Sequence, residues 1–382
     1  MHFALKTMRQ LIVIIFTLLI LIGCSSQKTE VVKMGNKDSD LLEIQNFSDS
    51  KKPKNIILAI ADGAGLNHIT VSRLAIGGPN HKLYIDQLPI NGTSTTHAYE
   101  NLITDSAAAA TAWATGNKTK NRYLSVDKDK KNLTTIFEML DKKGYLKGIV
   151  ATSSVTHATP AAFYAHIDSR YKEKEIAKQL LNSSVDIALG GGQEFFNLEQ
   201  ASKTHYLMTQ KAALEKNYDS LKQIVGLFDE DGMERGPDMP TQREMTNYAL
   251  DYLNDKCNGF FLMTEGSQID WAGHSNDIDY MLREFKDFDL TIKDLINFVS
   301  NNKDTLLLIT ADHETGGLQL MKQKGDSFEV QWGTGSHTGV PVGVYAYGPG
   351  SQNFNGIMDN TDIFYKILEV LDYQNLVSSS CF

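Results

Sequence analysis

Six side chains in this sequence are suited to hold divalent cations: Asp62, Asp270, His274, Asp312, His313 and His337. Carboxylates and imidazoles are the donors that zinc accepts. Asp270 and His274 stand four positions apart, so a helix would put both on one face. Asp312 and His313 are adjacent. On an extended segment they would diverge, so they can meet one ion only at a turn. Ser106 opens the alanine-rich stretch Ser106–Thr115, directly after Asp105. A helix N-terminus there would present free N–H groups and a positive dipole end, which favour an alkoxide and a phosphoryl group. Serine needs activation to act as a nucleophile, and metal coordination is one route. The same Asp105-Ser106 pair also suits a plain helix cap. Arg170 follows the segment His157-Ala158-Thr159-Pro160. A guanidinium can fork across two phosphate oxygens, although a lone arginine is equally suited to the surface. Of the other histidines, His2, His68, His81, His97 and His205 read as surface or core residues, and His166 as packing.

Five short apolar runs must carry these groups: Asn55–Ala61, Gly148–Ala151, Gly259–Thr264, Thr305–Thr310 and Val342–Tyr347. Continuous apolar runs of this length suit strands covered on both faces. Helical patterns lie between them, over Ser106–Thr115, Leu133–Lys142, Glu244–Cys257 and Tyr280–Val299. The expected fold is therefore α/β: a three-layer α/β/α domain around a central, mostly parallel, doubly wound sheet. The first run is followed by Asp62-Gly63, the third by Glu265-Gly266 and the fourth by Asp312-His313. Ligand groups in open sheets gather beyond the carboxyl ends of strands. One such acid could merely cap the next helix, but three point to a common site. The stretch from about 192 to 240 carries no clear pattern and is a candidate substrate-side insertion.

The chain has 382 residues, a formal net charge of −9 and three cysteines. That charge argues against nucleic acid as a partner. It is compatible with an anionic substrate if bound cations supply the local positive field. No C-x-x-C pair is present, which excludes a cysteine zinc knuckle. Cys257 and Cys381 could pair or could remain two free thiols. At the N-terminus, Lys6 and Arg9 precede the apolar run Leu11–Ile22, then Gly23-Cys24-Ser25-Ser26. That run suits a signal peptide rather than a membrane span. Its end resembles a bacterial lipobox. The expected organisation is a lipoprotein signal over 1–23, a flexible tether over 24–53 and a catalytic domain over 54–382. The chain would be exported and anchored at Cys24, in the periplasm or at the cell surface.

Six stretches taken together resemble the alkaline phosphatase family: Asn55–Gly65, Ile103–Gly116, His157–Arg170, Met263–His274, Leu308–Thr315 and His337-Thr338-Gly339. Their order along the chain matches as well. The resemblance is to bacterial, lipoprotein-type members. The short spacing from His313 to His337 implies that the large surface insertion of some members is absent or minimal. It further implies two zinc ions and one magnesium. Asp62, Asp312 and His313 would hold one zinc together with Ser106. Asp270, His274 and His337 would hold the other. Asp62, Thr159 and Glu265 would bind magnesium, with His157 on that side of the metal set where some members carry Asp. Arg170 would clamp phosphate. The implied reaction is hydrolysis of small phosphate monoesters by two in-line displacements through a phosphoserine on Ser106. A homodimer is a further implication. Trp271 stands where some members have Lys or His, so weaker phosphate binding is expected. A phosphodiesterase of the same superfamily is the alternative. Those enzymes usually use threonine and lack the third metal. A sulfatase would need a Cys/Ser-x-Pro-x-Arg motif, which is missing around Ser106.

Overall fold

The computed structural model describes residues 28–48, 51–216, 222–254, 256–378 and 381. The expected signal peptide and Cys24 lie outside the described residues. Among those described, no helix is long and apolar enough to cross a membrane.

Runs such as Asn-Ile-Ile-Leu-Ala-Ile-Ala cannot leave either face in water. In Asn55–Ala61 every residue after Asn55 is buried. This run is one of ten strands in a single sheet. Their order is Gly356–Asp359, Ile90–Thr95, Val342–Tyr347, Thr305–Thr310, Asn55–Ala61, Phe260–Gly266, Leu146–Ser154, Ile187–Gly191, Ile224–Leu227 and Tyr206–Met208. Only Val342–Tyr347 runs antiparallel to its neighbours. The remaining pairs are parallel. Strand periodicity splits the core in two. Ile57 and Ala59 pack with Phe285 and Phe288 on one face. Ile56, Leu58 and Ile60 pack with Trp113 and Phe137 on the other. The three-layer arrangement follows from that division.

The helices obey their end signals. Asp105 caps Ser106–Thr115 by accepting from the Ala108 N–H, and Gly116 ends it with φ +69°. Thr135 and Glu138 form a capping box that starts the helix Ile136–Asp141. The long helix Ile278–Asn301 begins at the cap Asp277 and buries Met281, Phe285, Phe288, Ile292 and Leu295 against the sheet, a helical stripe of apolar residues.

Two expectations are corrected. Residues 28–48 are not a loose tether. Thr29–Lys33 forms an edge strand on Ser327–Trp332, which pairs in turn with Leu318–Lys324. Trp332 donates its indole N–H to Glu30 at 2.7 Å, and Val32 is buried. Polar composition hid a strand whose apolar partners lie three hundred positions away. The stretch 192–240 is not a separate insertion either. Its strands Tyr206–Met208 and Ile224–Leu227 extend the main sheet by two. The open question about the cysteines is also answered, because Cys257 and Cys381 form a disulfide with Cα atoms 5.2 Å apart.

Candidate active site

Three neighbouring strands deliver the acids to one edge. Asn55–Ala61 lies between Phe260–Gly266 and Thr305–Thr310, all parallel. Their carboxyl ends therefore place Asp62, Glu265 and the Asp312-His313 pair side by side. All four are fully buried or nearly so. At the turn after Asp62, Gly63 adopts φ +74°, and a Cβ there would come within 2.7 Å of the Asp270 Cα. The helix Gln268–Ser275 can approach this closely only because position 63 has no side chain. On that helix Asp270 and His274 share a face, as their spacing predicts.

The histidine tautomers can be assigned from hydrogen bonds. His274 Nδ1 lies 2.8 Å from the Gly335 carbonyl. His337 Nδ1 lies 2.9 Å from the Thr104 carbonyl. A carbonyl only accepts, so both Nδ1 atoms carry protons and, in the neutral rings, both Nε2 atoms carry lone pairs. These Nε2 atoms face each other at 3.1 Å. The Asp270 oxygens lie 3.4 Å from His274 Nε2 and 3.5 Å from His337 Nε2. Two lone pairs and a carboxylate converging on one point need a cation between them.

A second cluster joins Asp62, Asp312 and His313. His313 Nε2 is 3.0 Å from Asp312 Oδ2, 3.8 Å from Asp62 Oδ1 and 3.3 Å from Ser106 Oγ. Thr315, which sequence reasoning missed, ties the two clusters together. Its hydroxyl donates to Asp270 and lies 3.2 Å from His313 Nδ1. Thr315 is two residues past a recognisable ligand, but only the turn brings its hydroxyl back to Asp270.

A third group contains Asp62, Thr159 and Glu265. Both oxygens of Asp62, both of Glu265, Asp312 Oδ2 and Thr159 Oγ1 are buried without any hydrogen-bond partner. Unpaired buried polar atoms are costly, and bare buried carboxylates more so. Burial, reinforced by Asp312, Asp270 and Glu265, pushes the Asp62 carboxyl well above its ordinary range. Burial also raises Glu265 to about 7. Such a donor set fits bound cations, which would restore the ionised state. Burial likewise drives His337 down to about 4, with the His313 charge contributing.

The side of the site that holds Arg170 is built around Asp105. Its Oδ1 caps the Ser106–Thr115 helix, and its Oδ2 accepts from Arg170 at 3.3 Å and from the Arg122 N–H at 3.0 Å. Asp105 is thus a cap, and it also aims Arg170. The second guanidinium nitrogen donates to His157 Nε2 at 2.9 Å. That bond uses the nitrogen facing Arg170 and assigns the proton to Nδ1. His157 therefore serves Arg170 here and stands outside both metal-ligand clusters found among the described residues. Ser106, Arg170, Asp270, Trp271, His274 and His337 line one open cavity of about 550 Å³. His157 lines the same cavity, and the expected ligands Asp62, Glu265, Asp312 and His313 lie buried at the neighbouring strand ends. His166 instead bridges the Ser125 carbonyl and Glu138 away from the cavity.

Known proteins resemble this chain in sequence and fold. The alkaline phosphatase family model matches residues 53–328 and 319–373. Alkaline phosphatase 4 of Bacillus subtilis is 34% identical and is aligned over 91% of this chain and 93% of its own. Alkaline phosphatase of Escherichia coli K12 is 32% identical over 86% and 88% of the two chains. The solved structure of alkaline phosphatase from the Antarctic bacterium TAB5 superposes with a TM-score of 0.76 at 33% identity, covering 84% of this chain and 98% of that one. A mutant of the TAB5 enzyme has been solved with magnesium in its M3 site. Sequence, fold and converging site agree, and the chain belongs to the alkaline phosphatase family, enzymes that use divalent metal ions to hydrolyse phosphate monoesters.

Proposed function

We propose that the chain works with two zinc ions and one magnesium and passes phosphate through a phosphoserine on Ser106. The facing Nε2 atoms of His274 and His337 carry this reading. Asp270, His274 and His337 would hold one zinc, and Asp62, Asp312 and His313 the other. Asp62, Thr159 and Glu265, all oxygen donors, suit magnesium. Bound cations would supply Lewis acidity and lower the pKa of hydroxyl groups and water.

The chain's own groups do the rest. Ser106 Oγ, buried at the helix N-terminus, is the nucleophile that attacks phosphorus as the alcohol leaves on the opposite side. Water then attacks the phosphoserine from the side the alcohol vacated. Arg170 offers its fork to the non-bridging oxygens, held in aim by Asp105 and His157. Trp271 brings no positive charge to the phosphate, so product should leave readily.

The test uses p-nitrophenyl phosphate and its bis-ester. The wild type should strongly prefer the monoester. Ser106→Ala should lower kcat by at least about 10³-fold with zinc and magnesium content unchanged. Near-full turnover by that variant would remove Ser106 from the mechanism, and a preference for the bis-ester would favour a phosphodiesterase.

The same reading extends to location. The apolar run Leu11–Ile22 before Cys24 supports export with a lipid anchor at Cys24. The Cys257–Cys381 bridge supports an oxidising compartment. Mass spectrometry should find Cys24 as an acylated N-terminus, and Cys24→Ser should release the enzyme from membranes. A homodimer, suggested by the family resemblance, is tested by sedimentation velocity.

A further inference from the structure

On the rim of the Ser106 cavity stands a second guanidinium that neither phosphate binding nor metal binding uses. Arg122 lines the same cavity as Ser106 and Arg170. Its backbone is a non-glycine residue with φ +75°. Such backbones cost energy and persist only where the surroundings hold them. Here they do so from both sides. The Arg122 N–H donates to Asp105, and its carbonyl accepts from the Arg170 N–H at 2.8 Å. Arg122 is thereby locked between the cap of the nucleophile helix and the phosphate-clamping arginine. A glycine or asparagine would meet the backbone requirement more cheaply, so the choice of arginine calls for another explanation.

The side chain supplies one. The Arg122 guanidinium lies 5.6 Å from the centre of the Tyr171 ring, and Tyr171 is itself 69% exposed. Stacking on an aromatic face orients the planar fork while leaving its N–H edges open. Among the described residues, the Arg122 guanidinium has no carboxylate oxygen within 4.0 Å, unlike those of Arg73, Arg170, Arg235, Arg243 and Arg283. The cavity edge is otherwise uncharged or acidic apart from Arg170 and the histidines. An oriented, unpaired cation at this edge faces whatever the esterified alcohol carries.

Building on the monoesterase reading, we propose that Arg122, braced by Tyr171, is a specificity residue for phosphate monoesters that carry a second anionic group. That group is a carboxylate or a second phosphate a few bonds from the ester oxygen. Arg122 would bind it while Arg170 holds the reacting phosphate. Such contacts bind ground and transition states alike, so they appear in KM rather than kcat.

Three substrates separate the possibilities: ethyl phosphate with no second anion, phosphoglycolate with a carboxylate, and 1,3-propanediol bisphosphate with a second phosphate. The variant is Arg122→Asn, because asparagine tolerates the left-handed backbone and preserves both main-chain bonds. KM for phosphoglycolate, the bisphosphate or both should rise about tenfold, with kcat within about twofold, as expected for one charged contact at a wet rim. KM for ethyl phosphate should stay within about twofold. The substrate that responds identifies which anion the fork takes. Arg122→Lys should recover part of the effect, and added salt should erase the difference between substrates. Equal changes for all three substrates, or none for any, would overturn the proposal while leaving the monoesterase reading intact. A wild-type enzyme inactive on ethyl phosphate and on p-nitrophenyl phosphate would instead overturn the monoesterase reading, and this inference with it.

Discussion

A metal ligand is only as good as the group that holds it still, and Thr315 would be that group for two of the proposed ligands at once. Its hydroxyl donates to Asp270 and meets His313 Nδ1. With the hydroxyl proton on Asp270, the His313 Nδ1 proton can donate to the same oxygen, leaving Nε2 free toward Asp62, Asp312 and Ser106. Outer partners of this kind set ligand orientation and basicity. Thr315→Val keeps shape and β-branching but removes the hydroxyl. It should weaken metal binding by about 10- to 100-fold, measured by competition with a metallochromic chelator. Activity should recover at high metal concentration. If metal affinity stays unchanged, Asp270 and His313 are held by packing alone. Arg170 shows the same dependence on a neighbour, since it is aimed by Asp105 and His157.

At the scale of elements, what was legible in the sequence had local causes. Asp62, Glu265 and Asp312-His313 each close an apolar run, and a parallel sheet brings the carboxyl ends of such runs together. Asp270 and His274 declared themselves by helical spacing. At Ser106 the residues alone favour a cap and the family resemblance suggests the nucleophile; in the fold Asp105 supplies the cap and Ser106 Oγ lies 3.3 Å from His313 Nε2. What was not legible depended on distant partners. Val32 is buried only because Phe328, Val330 and Trp332 arrive from the far end of the chain. The stretch 192–240 lacked strong periodicity because its two strands are short and lie at the sheet edge. That stretch nevertheless reaches the site. A Cβ on Gly232 would come within 2.2 Å of the Trp271 ring, so the loop is shaped around the indole that lines the cavity. The docked N-terminal strand gives a direct prediction. A chain beginning at residue 52 should lose at least about 2 to 4 kcal/mol, the share of Val32 burial and the Glu30–Trp332 bond alone, because Leu42, Ile44 and Phe47 also pack on the core. Urea unfolding measures this, and an unchanged midpoint would show that the strand adds no net stability. The strand also braces Trp332, which packs against Gly316 beside Thr315, and Lys28 donates to the Asn276 carbonyl that ends the Asp270–His274 helix, so turnover should be measured alongside stability.

For the whole molecule, stability should depend on pH through a histidine that catalysis does not use. His68 is fully buried, with neither ring nitrogen hydrogen-bonded. Its nearest acid, Glu314, is 4.0 Å away, beyond hydrogen-bond reach, and the Trp332 ring lies edge-on at 6.0 Å. Burial pulls the imidazole down from 6.5 to about 4. The unfolded chain therefore binds this proton before the folded chain does. Stability from the neutral ring is complete above pH 6.5 and is lost progressively as pH falls toward 4. The shift corresponds to about 3 kcal/mol. The buried carboxyls of Asp62 and Glu265 titrate in the opposite sense, since their raised values make protonation favour the folded state. The His68 contribution must therefore be isolated by difference. His68→Leu replaces two unpaired polar atoms with hydrocarbon of similar size, a change that can be neutral or stabilising at pH 7.5. Urea midpoints of variant and wild type, taken in EDTA so that metal release does not intervene, should diverge as pH falls from 6.5 to 4, the variant losing less. If the two curves stay parallel, the ring is protonated in the folded protein through a partner such as Glu314. The acid lability of the fold would then rest on other groups.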